Sequence, residues 1–132
     1  MRLGEQWGRE AQDGWVIALT GDLGAGKTQL VKGLAAGLGS SARVQSPTFA
    51  LINIYGDGRL DLNHIDLYRL DTPQQVHAAG LTEYLGKGVT VIEWADRLWP
   101  DELPPTELRV RHVRIEAASE TERTITYEDF GN

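Results

Sequence analysis

The eight residues Gly21-Asp22-Leu23-Gly24-Ala25-Gly26-Lys27-Thr28 satisfy G-x-x-x-x-G-K-[ST] at every required position, and no other stretch limits the fold so strongly. Glycines in such a loop let successive backbone N–H groups point at phosphate oxygens with no Cβ in the way. The N-terminus of a following helix turns its positive dipole end toward the same anion. Lys27 offers a mobile charge for β- and γ-phosphates, and the Thr28 hydroxyl is a hard oxygen of the kind Mg²⁺ accepts. The expected ligand is therefore a nucleoside triphosphate with Mg²⁺.

The flanks of the loop agree with that reading. Trp15-Val16-Ile17-Ala18-Leu19 is a short apolar run, the pattern of a strand buried on both faces of a mainly parallel sheet. Over residues 27–38, Leu30, Val31, Leu34, Ala35 and Leu38 recur at helical spacing and Gly39 supplies a stop. Residues 21–26 between them are too rich in glycine for regular structure. Further along, residues 49–55 and 60–65 flank Gly56-Asp57-Gly58, which predicts a β-hairpin. Asp71 or Thr72 can cap a helix that starts at Pro73 and runs to Ala79, with Gly80 ending it and a second short helix starting at Thr82. Residues 89–92 form another β-branched apolar run that delivers Glu93 at its C-terminal end. Residues 94–99 read as a short helix or turn. After Pro100, Pro104 and Pro105, the remaining apolar positions (Leu108, Val110, Val113, then residues 124–127) read as an antiparallel pair at one edge. The expected fold is α/β: a P-loop NTPase with a central, mainly parallel sheet, flanking helices and an antiparallel hairpin and edge extension.

With 132 residues, no internal repeat and no linker-like tract, the chain is expected to form a single domain over residues 1–132. Thirteen Lys and Arg against nineteen Asp and Glu give a net charge of −6. That balance disfavours a dedicated DNA or RNA binder, whose affinity depends on neutralising phosphates. The one basic run, Arg109, Arg111, His112 and Arg114, reads as a solvated strand face. The absence of cysteine excludes disulfides, thiol catalysis and zinc–thiolate sites. No apolar run reaches the length of a membrane span and no signal-like start is present, so a cytoplasmic protein without membrane contact is expected.

A Mg²⁺–nucleotide site needs a carboxylate at the C-terminal end of a strand beside the loop. Glu93 follows a hydrophobic run and is the better metal candidate; Asp66, in His64-Ile65-Asp66-Leu67-Tyr68-Arg69, is the second. The plain alternative is a strand-end carboxylate facing water or paired with Arg97 (for Glu93) or Arg69 (for Asp66). Ser46-Pro47-Thr48-Phe49 precedes the hairpin, where a loop could swing over the phosphates and let Thr48 sense them. His64, Tyr68 and Trp94 read as packing or supporting residues.

Four segments together resemble one family, the bacterial tRNA threonylcarbamoyladenosine biosynthesis ATPase TsaE, also called YjeE. They are the phosphate loop, Ser46-Pro47-Thr48-Phe49, His64-Ile65-Asp66-Leu67-Tyr68-Arg69-Leu70 and Val91-Ile92-Glu93-Trp94-Ala95-Asp96-Arg97, and the likeness spans residues 3–97. It implies a small P-loop ATPase of weak intrinsic activity that works with TsaB and TsaD. Those subunits modify adenosine 37 of tRNA, and ATP hydrolysis resets them between turnovers. On the matching positions, residues Leu23, Gly24, Ala25, Gly26, Lys27 and Thr28 would hold the phosphates of ATP. Thr28 and Glu93 would bind Mg²⁺, while Lys27, Thr48, Asp66 and Glu93 would be needed for hydrolysis. The tRNA would be gripped by the partners, which suits an acidic helper. Relatives usually carry a further strand and a hydroxyl residue on the adenine side ahead of the Leu3-Gly4 region. This sequence starts two residues before the likeness begins, so the expectation is either a start assigned late or an adenine side built differently, with an unpaired sheet edge if the segment is missing.

Other functions use the same loop. A non-hydrolysing ATP-gated assembly module would employ the same residues. A small-molecule kinase would need an Arg-bearing lid, for which Arg69 and Arg97 are present but no long insertion is. A GTPase is disfavoured, because the sequence has no Asn-Lys-x-Asp and no Asp-x-x-Gly after a strand.

Overall fold

The structure, a computed structural model, describes residues 2–21, 24–44, 52–98 and 108–130. Its elements in chain order are α1 (Arg2–Glu10), β1 (Trp15–Thr20), α2 (Gly24–Gly37), β2 (Ile52–Tyr55), β3 (Leu62–Asp66), α3 (Pro73–Ala78), β4 (Val89–Glu93), β5 (Arg109–Ala117) and β6 (Arg123–Phe130). Single 3₁₀ turns lie at Leu81–Tyr84 and Ala95–Arg97. The strands form a six-stranded sheet in the order β2-β3-β4-β1-β5-β6. Pairs β3–β4, β4–β1 and β1–β5 are parallel, while the hairpin β2–β3 and the pair β5–β6 are antiparallel. This is the mainly parallel sheet with hairpin and edge extension that the sequence predicts, and β2 and β6 are its outer strands.

All six residues of β1 are buried, as expected for a central parallel strand covered on both faces. Two apolar layers do the covering. On one face, Ile17, Leu19, Leu62, Val89, Val91, Val113 and Ile115 meet Leu30, Val31, Leu34 and Leu38 of α2 and Trp7 of α1. On the other, Val16, Ala18, Ile65, Ile92 and Val110 meet Val76, Leu81 and Leu98. Because alternate strand residues share a face, His64, Asp66 and Glu93 point to the α2 side with Leu62 and Val91.

The helix α2 begins at Gly24, three residues before the expected start, so the loop's last glycine lies in its first turn. It ends as predicted: Gly39 takes a left-handed φ of 84°, and the N–H groups of Leu38, Gly39 and Ser40 bond the carbonyls of Leu34, Ala36 and Ala35. Thr72 caps α3 by accepting the Gln75 N–H, with Pro73 at its first position. The hairpin tip is docked onto the helices. Asp57 accepts hydrogen bonds from Ser40 and Ser41, the Arg59 N–H bonds the Leu38 carbonyl, and the Arg59 guanidinium donates to the carbonyls of Gly8, Arg9 and Ala11 at the end of α1.

The helix α1 was not legible in the sequence. Its buried face is Gly4, Trp7 and Gly8, followed by Ala11, which is the right helical spacing but is half glycine, the poorest helix former after proline. The glycines are there for space. A Cβ on Gly4 would lie 2.7 Å from the Leu30 carbonyl oxygen, and one on Gly8 2.5 Å from that of Leu34 and 2.8 Å from the Gly37 Cα. Two helices thus meet backbone to backbone through Gly4 and Gly8 on one side and Gly33 and Gly37 on the other.

The basic strand face corrects the sequence reading. Arg111 on β5 is not simply solvated: its guanidinium lies over Trp7 (4.8 Å), Trp15 (5.0 Å) and Tyr127 (4.5 Å) and makes two hydrogen bonds to Asp129 of β6 at 2.7 and 3.0 Å. A cation stacked on three rings ties α1 to the β1, β5 and β6 end of the sheet.

Gly8→Val, which forces α1 and α2 apart, is expected to destabilise the protein by about 1–3 kcal/mol in denaturant unfolding. Arg111→Leu is expected to cost about 2 kcal/mol through the lost ring contacts, while Asp129→Asn costs less than about 1 kcal/mol because that carboxylate is largely exposed. Arg111 holds the Asp129 carboxyl below the ordinary carboxylate range. The contribution of Asp129 is therefore complete above that range and lost as pH falls through the lowered value, so wild type and Asp129→Asn should converge in strongly acidic melts.

Candidate functional site

Lys27 and Thr28 lie in the first turns of α2, directly after the C-terminal end of β1. The strand beside β1 on this side is β4, with Leu19 in register with Glu93, and β3 comes next, with Asp66 in register with Glu93. Glu93 and Asp66 therefore stand at one level across adjacent parallel strands, at the edge from which the phosphate loop departs. That edge is where open α/β sheets place their ligands. The fold brings together Lys27, Asp66 and Glu93, with Thr28 one residue on. Asp22, Leu23 and the segment Ser46-Pro47-Thr48-Phe49 lie outside the described residues, as does any contact of Thr48. For Gly24, Ala25 and Gly26 the observation is that they open α2.

Lys27 is 1% exposed. Its ammonium sits 4.2 Å from the centre of the Trp94 ring, a contact that offsets part of the cost of burying charge. The same ring faces the Arg97 guanidinium at 5.4 Å and packs against Tyr68 at 5.1 Å. Trp94 reaches this position through a left-handed backbone, φ 61°, which is uncommon for a bulky residue. The strained residue directly follows Glu93, so β4 ends there and the indole meets the Lys27 ammonium.

Among the described residues Glu93 pairs with His64 and not with Arg97. Its Oε2 lies 2.6 Å from Nε2 of His64, a residue with no exposed surface, and Glu93 itself is 4% exposed. The arginine instead reaches Asp71 at 3.6 Å. Asp66 does not take Arg69 as its partner either: its Oδ1 accepts the Tyr68 backbone N–H at 3.0 Å. Burial pushes the Asp66 carboxyl above its ordinary range and the charge of Glu93 adds to this, while the Tyr68 N–H, His64 and Lys27 oppose it. His64 is the site residue whose part the sequence understated. The signal was available, since it precedes Asp66 by two and so shares its strand face, but the strand register that sets it against Glu93 is tertiary.

A divalent cation would find hard oxygens here, from the Thr28 hydroxyl and the carboxylates of Glu93 and Asp66. Among the described residues no three His, Cys, Asp or Glu side chains converge as a metal-binding group. The donor set suits Mg²⁺, which keeps several waters and takes one or two protein ligands plus phosphate oxygens. No helix among the described residues is long and apolar enough to cross a membrane.

The raised Asp66 carboxyl yields a prediction for the ligand-free protein. An acid pushed up by burial opposes folding once ionised, so Asp66→Asn should raise the melting midpoint at neutral pH. The gain should shrink as pH falls through the raised value and vanish below the ordinary carboxylate range. Melts of both proteins across pH check the sign.

Comparison with known proteins adds the family. A family model described as "Threonylcarbamoyl adenosine biosynthesis protein TsaE" matches residues 1–125. The tRNA threonylcarbamoyladenosine biosynthesis protein TsaE of Bacillus subtilis (strain 168) is 45% identical over 123 residues, 92% of this chain and 74% of that protein. The protein of the same name from Synechocystis is 44% identical over 102 residues, 71% of this chain and 65% of its own length. A crystal structure of Bacillus subtilis YdiB superposes with a TM-score of 0.73 at 37% identity, covering 98% of this chain and 77% of that one. The chain thus spans 65–77% of the length of these relatives. With a family match across almost all of its residues and relatives this similar in sequence and fold, the chain belongs to the TsaE family of threonylcarbamoyl adenosine biosynthesis proteins.

Proposed function

We propose that the chain is a Mg²⁺-dependent ATPase supporting N⁶-threonylcarbamoyladenosine formation at adenosine 37 of tRNA. In this reading it acts in the cytoplasm, binds a TsaB–TsaD complex and hydrolyses ATP to reset it. The observation that carries the ATPase reading is the juxtaposition of a complete phosphate loop at the β1–α2 junction with Glu93 at the end of the adjacent parallel strand. The tRNA pathway is supported by the names of the relatives. The net charge of −6 favours a partner that reaches tRNA through other subunits.

Backbone N–H groups of residues 23–28 and the N-terminus of α2 would cradle the phosphates. Lys27, held away from water, would deliver its charge to the β- and γ-phosphates in a low-dielectric site, where it is worth more than at the surface. Thr28 and Glu93 would hold Mg²⁺, which when bound neutralises charge on the phosphate oxygens. Asp66, with Thr48 from the preceding segment, would orient the attacking water, and the raised carboxyl of Asp66 suits a group that receives a proton.

ATP turnover by the chain alone and with TsaB–TsaD tests this. Slow hydrolysis alone, stimulation by the partners, and a loss on the order of 100-fold in Lys27→Ala and in Glu93→Ala are expected. Nucleotide binding without hydrolysis under any condition would replace the ATPase with an ATP-gated assembly module. A phosphorylated small-molecule product would point to a kinase.

A further inference from the structure

The pair His64–Glu93 is a buried polar contact at the strand ends, and the roles assigned above leave His64 without one. We infer that His64 is a positioning residue, which holds one oxygen of the Glu93 carboxylate so that the other is directed to the metal ion of a bound nucleotide. The inference rests on the proposed Mg²⁺–nucleotide site and deepens it.

The hydrogen bond has a defined polarity. Between Nε2 and Oε2, 2.6 Å apart, the carboxylate accepts and the ring donates. His64 Nδ1 is buried and has no hydrogen-bond partner among the described residues. The tautomer with its proton on Nε2 leaves only an acceptor lone pair at that unpartnered atom. A ring protonated on Nδ1 alone would turn a lone pair toward the carboxylate, so Nε2 carries a proton in this contact. The ring itself has no freedom. It has no exposed surface, and its strand β3 is locked to β4 with His64 opposite Val91 and Asp66 opposite Glu93. A short bond from a fixed donor removes rotation of the carboxylate about its terminal torsion, which is otherwise broad and soft.

What the arrangement contributes is orientation before the metal arrives. Without this donor the Glu93 oxygen now bonded to His64 would lose that partner and the orientation the bond imposes. Hydrogen bonds to metal-binding carboxylates from residues behind them tune affinity, and their removal typically weakens metal binding 10–100-fold. A plain packing role for His64 predicts a different outcome: loss of the ring would lower stability without selecting for the metal.

The discriminating measurement is Mn²⁺ binding to the full chain in the presence of ADP, read from the electron paramagnetic resonance of free Mn²⁺. ADP affinity without metal and thermal melting are measured alongside. His64→Leu removes the donor. His64→Gln keeps an amide N–H at about the reach of Nε2, and His64→Asn keeps the amide but is too short to reach Glu93. Mn²⁺ affinity is expected to fall 10–100-fold in the Leu and Asn variants and to be largely retained in the Gln variant, with metal-free ADP affinity unchanged in all three. Should the Leu variant not fold, Gln against Asn decides the matter. Equal Mn²⁺ affinity in wild type and all folded variants overturns the role of His64 while leaving the nucleotide site standing, and so does equal loss in Gln and Asn. Failure of the wild type to bind Mn²⁺ with ADP overturns both.

Discussion

The parallel register of β1, β4 and β3 is the constraint on which the site depends. It sets Leu19, Glu93 and Asp66 at one level, so two carboxylates on strands far apart in sequence end beside the helix that begins at the phosphate loop. A register slip of one residue would turn each strand's inward side chains to the opposite face. Burial prevents it: every residue of β1 and β4 lies inside, and both faces of the sheet are covered by apolar layers. The chemistry at the sheet edge is therefore held by hydrophobic packing well below it.

Charge inside this fold is handled by rings and by short hydrogen bonds. Lys27 is buried against Trp94, Arg111 is stacked on Trp7, Trp15 and Tyr127, and Glu93 is bonded by His64. The first and third lie where a polyanion would bind, and the second joins α1 to the far end of the sheet. Aromatic faces suit such a role because they attract cations without the desolvation cost of a buried counter-charge. The four glycines between α1 and α2 serve the same compactness. They let α1 sit close enough for Trp7 to reach Arg111 and for Arg59 to cap the helix end.

Much of the fold could be read directly because its signals are local. The apolar run of β1, the spacing of Leu30, Val31, Leu34 and Leu38, the glycine turn before β3 and the Thr72-Pro73 cap each depend on a few neighbouring residues, and each lies where it was expected. The phosphate loop and the strand-end acids were legible for the same reason. α1 escaped notice because its buried face is built from glycine, whose local propensity opposes the helix that tertiary contact imposes. Arg111 was misread because alternation along a strand does not reveal which face lies under aromatic rings contributed by α1 and β6.

What the amino-acid order determined by itself was the set of parts: a phosphate loop between a strand and a helix, two acids ending strands, and enough apolar residues to cover a sheet twice. These are properties of short windows, governed by backbone sterics, side-chain periodicity and capping. Only the tertiary structure decided which parts meet. That β4 lies between β1 and β3, that Glu93 takes His64 rather than Arg97 as its partner, and that Trp94 covers Lys27 all follow from strand order and register. Those are selected by the burial of the whole core, a sum over residues distant in sequence that no local pattern contains.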